Sequence, residues 1–144
     1  MILRSATKTD VPAIAQIIGD WCASTPYIPP LHTPDEDRNF VANLVATQDV
    51  LVAENTGDVH GFIAREDKEI GQLYLMPSAR GQSTGTALLN KMKARTDLLK
   101  LWCFQANTGA RRFYERNGFV AARFTDGAGN EERLPDIRYV WSVA

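Results

Sequence analysis

The chain has 144 residues, 44% of them hydrophobic and 23% charged, with a formal net charge of −1. Length and apolar content of this kind suit one domain, residues 1–144, around one core, and they exclude a disordered segment. Near-neutral charge without a run of like charges excludes the basic face of a nucleic-acid-binding protein, yet leaves room for a pocket that holds a small anion.

The start turns polar at once through Thr7, Lys8, Thr9 and Asp10, without the apolar region of a secretory signal, and no apolar run approaches a membrane span. Cys22 and Cys103 lack a CxxC or Cys/His pattern and read as free thiols of a cytoplasmic protein, with no metal centre expected.

Ile2 to Arg4 is a short strand candidate. Val11, Ile14, Ala15, Ile17, Ile18 and Trp21 then recur at helical spacing, with Thr7 or Thr9 as the cap. Three prolines between Ala23 and Leu31 exclude a regular helix there. Thr33-Pro34-Asp35-Glu36 predicts a helix start, with a hydroxyl cap, proline at the first turn and a glutamate three residues on; Phe40, Val41, Leu44 and Val45 give that helix its apolar face.

Val50 to Glu54 and Val59 to Ala64 are strands joined by the hairpin signal Asn55-Thr56-Gly57-Asp58. Ile70 to Met76 is a third run, stopped by Pro77, and a glycine-containing loop leads into a helix with Ala87, Leu88, Leu89 and Met92. Leu99 to Phe104 is strand-like, Asn107 begins a further helix, and Phe119 to Phe124 and Ile137 to Val143 are the last strands. The order β-α-α-β-β-β-α-β-α-β-β predicts an α/β (α+β) fold, a mixed and mostly antiparallel twisted sheet of about seven strands with helices on both faces.

Between Pro77 and Leu89 a strand ends, small residues let the backbone turn, and a helix begins. Free N–H groups of a helix's first turn favour an anion, and small side chains let a phosphate reach them. Alone, the loop is equally an ordinary strand-to-helix turn. It lacks the Gly-Lys-Ser/Thr triplet of a P-loop and the three-glycine dinucleotide fingerprint.

Arg80-Gly81-Gln82-Ser83-Thr84-Gly85 resembles the Arg/Gln-x-x-Gly-x-Gly/Ala signature of the GCN5-related N-acetyltransferases, with Ser83 in place of the first signature glycine. Leu73 to Pro77 is similar to that family's fourth strand. Asn107-Thr108-Gly109-Ala110-Arg111-Arg112-Phe113-Tyr114-Glu115-Arg116-Asn117-Gly118-Phe119 resembles its Asn-x-x-Ala-x-x-Phe-Tyr-x-x-x-Gly-Phe block without departure. In the residues themselves, Asn107 is a helix cap, Phe113 a core residue and Gly118 a left-handed helix stop.

The resemblance implies an acetyl-CoA-dependent N-acetyltransferase. Acetyl-CoA would lie between splayed fourth and fifth strands. The segment Leu73, Tyr74 and Leu75 would line the pantetheine, with the backbone of Leu73 and Leu75 pairing to it, and Gly81, Gln82, Ser83, Thr84, Gly85 and Thr86 would hold the pyrophosphate. Asn107 and Tyr114 would face the cleft. An amine would attack the thioester directly, with Tyr114 as proton donor to the thiolate and Glu69 as candidate base beside a water chain. An acyl-cysteine route through Cys103 is disfavoured by the absence of a histidine near it in sequence.

The resemblance also assigns the acceptor pocket to residues 21–32 and 125–136, with Tyr27 and His32 as candidate substrate residues. The carboxylates of the second segment would attract a cationic amine, although a solvated acidic turn has the same composition. The expected partner is a small-molecule amine. A protein amine, a non-catalytic acyl-CoA sensor and a plain interaction domain stay open, and Trp141 and Val143, expected to be exposed, leave room for a homodimer.

Overall fold

The computed structural model describes residues 1–81 and 83–143. Its strands are β1 (Ile2–Ser5), β2 (Asp49–Asn55), β3 (Asp58–Glu66), β4 (Glu69–Leu75), β5 (Leu98–Phe104), β6 (Val120–Thr125) and β7 (Asp136–Ser142). Its α-helices are α1 (Val11–Ser24), α2 (Pro34–Thr47), α3 (Thr84–Lys93) and α4 (Thr108–Arg116). The order matches the expected one.

Local chemistry accounts for most boundaries. Thr33 caps α2 through a bond from the Glu36 N–H (3.2 Å), and the Glu36 carboxylate returns one from the Thr33 N–H (2.9 Å). Thr7 caps a short 3-10 turn, Lys8–Asp10, and α1 follows from Val11. Thr56 and Gly57 both have positive φ (52° and 88°), as the two-residue turn between β2 and β3 needs.

The seven strands form one sheet in the order β1-β2-β3-β4-β5-β7-β6. Every neighbouring pair is antiparallel except β4 and β5. The final hairpin does not add to the sheet in chain order: β7 lies against β5, and β6 takes the edge.

Two cores cover the sheet. On one face α1 and α2 bury Ile14, Ile17, Ile18, Val41 and Leu44 against Val50, Val52, Phe62 and Ala64. On the other, α3 and α4 bury Leu88, Leu89, Met92 and Tyr114 against Leu51, Ile63, Leu99, Leu101, Ile137 and Tyr139. Leu88 and Leu99 are wholly buried, and truncating either to alanine would cost about 2–5 kcal/mol. Over β5, β7 and β6 the first face is bare, with Trp102 46% and Val120 68% exposed. Two expectations change here. Trp141 is half-buried against the second core with the Lys93 ammonium 5.1 Å over its ring, because it lies opposite Leu99 on the covered face. Phe113 is only half-buried and packs at the margin of that core.

Candidate active site

The site begins with a split in the sheet. β4 and β5 pair at one register position, Glu69 with Lys100, supported by the Lys100 N–H donating to the Lys68 carbonyl at 2.8 Å. Beyond it the strands part. The cause lies in β4: Ala64 faces Gln72 and Arg65 faces Ile70, so Gly71 is left over as a bulge. A bulge bends its strand and ends regular pairing. A glycine inside a strand run was the signal for it, and Gly71 was absent from the residues singled out in the sequence.

The bulge also decides which backbone groups are free. Met76 N–H donates to His60 O at 2.9 Å. Because antiparallel pairs alternate, Tyr74 and Gln72 likewise turn their backbone to β3, while Leu73 and Leu75 turn theirs toward the open side. Leu73 and Leu75 therefore present a strand edge to the cleft. Tyr74 does not. Its ring lies on the α1 side, 5.2 Å from Trp21 and 6.0 Å from Phe62, and any contact it makes in the cleft comes from the ring.

At the mouth of the cleft, Ser83 is the residue before α3 and holds φ 64°, ψ 7°. Its side chain makes no cap hydrogen bond, and α3 bonding starts with Ala87 N–H to Ser83 O at 3.0 Å. The first-turn amides, those of Thr84, Gly85 and Thr86, thus have no cap among the described residues. Gly81 also has positive φ (75°), and a Cβ there would meet nothing within 4 Å. Gln82 lies outside the described residues. Free amides, open space beside Gly81 and Gly71, and the Leu73–Leu75 edge fit a pyrophosphate on an extended pantetheine arm, so the residues present suit acetyl-CoA.

Asn107 caps α4, its Oδ1 accepting from Ala110 N–H at 3.2 Å. Two turns on from the cap, Tyr114 is buried between Phe113 (5.3 Å), Phe119 (5.6 Å) and Tyr139 (6.1 Å). Its hydroxyl makes no hydrogen bond among the described residues, and burial pushes its pKa well above the ordinary phenol value. Asn107, Ala110 and Tyr114 line a cavity of about 110 Å³ that also touches Gly71, Leu73, Tyr74 and Trp21. Residues from both faces meet there, so the cavity passes through the split.

On the bare face this cavity adjoins a larger one of about 590 Å³, the two sharing Trp102, Cys103 and Phe104. Arg123, Asp126, Glu132 and Asp136 supply its charged lining. Tyr27 stands beside the junction, its ring edge-on to Phe104 at 6.4 Å. His32 lies farther out and is tied to Glu131 at 2.7 Å, which joins the α1–α2 loop to the β6–β7 loop. Cys103 is buried, and that burial pushes its thiol up to about 11, so it stays protonated at neutral pH.

Glu69 stands at the closed end of the split. Arg138 reaches over the Trp102 ring (5.0 Å) and grips both carboxylate oxygens, at 2.7 and 2.6 Å. Glu69 lines neither cavity. Among the described residues no group of His, Cys, Asp and Glu could hold a metal, and no helix is long and apolar enough to cross a membrane.

Comparison with known proteins agrees with this geometry. The family model for the acetyltransferase (GNAT) domain matches residues 46–121. An uncharacterized N-acetyltransferase of Methanocaldococcus jannaschii is 34% identical over 98 residues, 65% of the present chain; the match takes in 43% of that relative, so the chain spans less than half its length. The peptidyl-lysine N-acetyltransferase YiaC of Escherichia coli is 26% identical over 99% of the chain and 97% of its own. Among solved structures, yncA from Salmonella typhimurium, determined with its cofactor acetyl-CoA, superposes with a TM-score of 0.76 at 20% identity, covering all of this chain and 94% of that one.

Proposed function

Because the chain belongs to the acetyltransferase (GNAT) family, we propose that it moves the acetyl group of acetyl-CoA directly to the primary amine of a small-molecule or amino-acid-like acceptor. The observation that carries this reading is the passage through the sheet: the uncapped amides of α3 and the Tyr114 hydroxyl open on one face, and a charged cavity adjoins them on the other.

Bound in the cleft, acetyl-CoA supplies an acetyl thioester and a thiolate leaving group. The Leu73 and Leu75 backbone orients the arm, and the Thr84 to Thr86 amides hold the pyrophosphate. Tyr114, kept protonated by burial, gives its proton to the sulfur and regains one from the acylated nitrogen. Cys103 stays protonated and takes no acyl group. Glu69 lines neither cavity and has both carboxylate oxygens bonded to Arg138, so it positions Arg138 across β5, and water in the passage carries the amine's proton.

A lysine side chain of a protein is a second reading, supported by the end-to-end alignment with the E. coli peptidyl-lysine enzyme. Thiol release from acetyl-CoA over a panel of small amines, amino acids and lysine peptides separates the two. Turnover of peptides alone would remove the small acceptor. Acetyl-CoA is expected to raise the melting temperature, by about 2.7 kcal/mol of stabilisation at 100-fold over its Kd.

A further inference from the structure

Four charged residues line the larger cavity, and they differ in what they have left to offer. Asp136 is buried and satisfied: its carboxylate accepts from the Thr125 hydroxyl and from Asn130 Nδ2 (3.2 Å). Asp126 accepts from the Ala128 N–H at 3.0 Å and holds its own turn. Glu132 is half-buried and makes neither hydrogen bond nor ion pair among the described residues. It lines the larger cavity, which shares Trp102, Cys103 and Phe104 with the passage. Arg123, opposite Arg138 of β7, also makes no ion pair among the described residues, since Asp126 and Asp136 beside its strand are engaged in the bonds just given and Glu69 is held by Arg138.

One cavity thus holds an unpaired anion and an unpaired cation that do not pair with each other. We propose that it recognises a zwitterionic acceptor, an amino acid or amino-acid analogue, with Glu132 drawing the ammonium toward the passage and Arg123 holding the carboxylate. This rests on the acetyl-transfer reading and narrows its acceptor. Geometry supports the direction of binding. Glu132 is next to Glu131, which His32 pins, so the loop carrying it is tied down. Arg123 sits on the edge strand β6, on the bare face and away from the split.

The overall transfer balances without a further reactant. The ammonium gives one proton to water and the neutral nitrogen forms the C–N bond as the C–S bond breaks. The thiolate takes the Tyr114 proton, and the second nitrogen proton restores the phenol.

The test is acetyl-CoA turnover over the common amino acids, each beside its amide and its carboxylate-free amine; L-lysine, L-lysinamide and 1,5-diaminopentane are one such set. The best amino acid is expected to exceed its amide in kcat/KM by about tenfold, the worth of one half-exposed charge-assisted contact. Arg123→Ala should erase that preference by raising KM for the acid and not for the amide. Glu132→Gln should raise KM for both, with the KM of acetyl-CoA unchanged and Glu132→Asp restoring part. Equal turnover of acids and amides, or a preference unaltered by Arg123→Ala, overturns the zwitterion while acetyl transfer to amines stands. Acetyl-CoA binding with no turnover of any amine would overturn the acetyl-transfer reading itself, and this inference with it.

Discussion

A Cβ placed on Gly85 would lie 3.1 Å from Phe113 Cζ and 3.3 Å from its Cε1, so the glycine in the first turn of α3 and the ring on α4 are fitted to each other. The two motifs that carry the family resemblance are therefore one packing unit. Gly85→Val should destabilise by about 1–3 kcal/mol through overpacking. Combining it with Phe113→Ala should be milder than the sum of the single changes by about 1 kcal/mol, as for residues in contact. Denaturant titration of the four proteins measures this, and strict additivity would show that the ring does not constrain the glycine.

Tyr114→Phe isolates the hydroxyl. The ring stacking stays, and no hydrogen bond within the described residues is lost, so stability should be unchanged. Turnover should fall about 10²-fold, the low end for a positioned proton donor, with little change in acetyl-CoA affinity. A variant that turns over like the parent removes Tyr114 from the proton path.

Ser83 holds a left-handed backbone, φ 64°, in the position where the family signature has glycine. That conformation strains a non-glycine residue by roughly 1–2 kcal/mol, and glycine gives back part of the gain through a freer unfolded chain. Ser83→Gly should therefore stabilise by about 0.5 kcal/mol and tighten acetyl-CoA slightly, read as a melting shift with and without ligand. A loss of stability would mean that the serine side chain contributes something the glycine cannot replace.

Much of this arrangement was legible in the residues because it is local. The Thr33 cap with Glu36, the Asn55–Asp58 turn, the Asn107 cap and the left-handed Gly118 (φ 88°) each depend on neighbours within a few positions. What stayed hidden depends on which strands adjoin. Placing β7 rather than β6 beside β5 brings Arg138 within reach of Glu69, 69 residues away in the chain, and gives the candidate base an ion-pair partner. The Gly71 bulge appears only once the β3–β4 register is known. The clasp of His32 leaves no local sign in the sequence because its partner, Glu131, is 99 positions distant.

That last contact sets a pH dependence. The hydrogen bond to Glu131 is the main cause that raises the His32 pKa above its ordinary 6.5, and the nearby charges of Glu131, Glu36 and Asp37 act in the same direction. A group whose folded pKa is raised contributes stability that is complete below its unfolded value and is lost as pH rises through the folded one. The clasp between the two loops should thus hold near pH 5.5 and loosen toward pH 8.5. Both side chains are about half exposed (47% and 60%), so solvent screening keeps the effect to about 0.5 kcal/mol. The stability difference between the parent and His32→Gln should show that value at about pH 5.5 and vanish by about pH 8.5. A difference that stays constant across that range would mean that His32 acts by packing and that the ion pair contributes nothing.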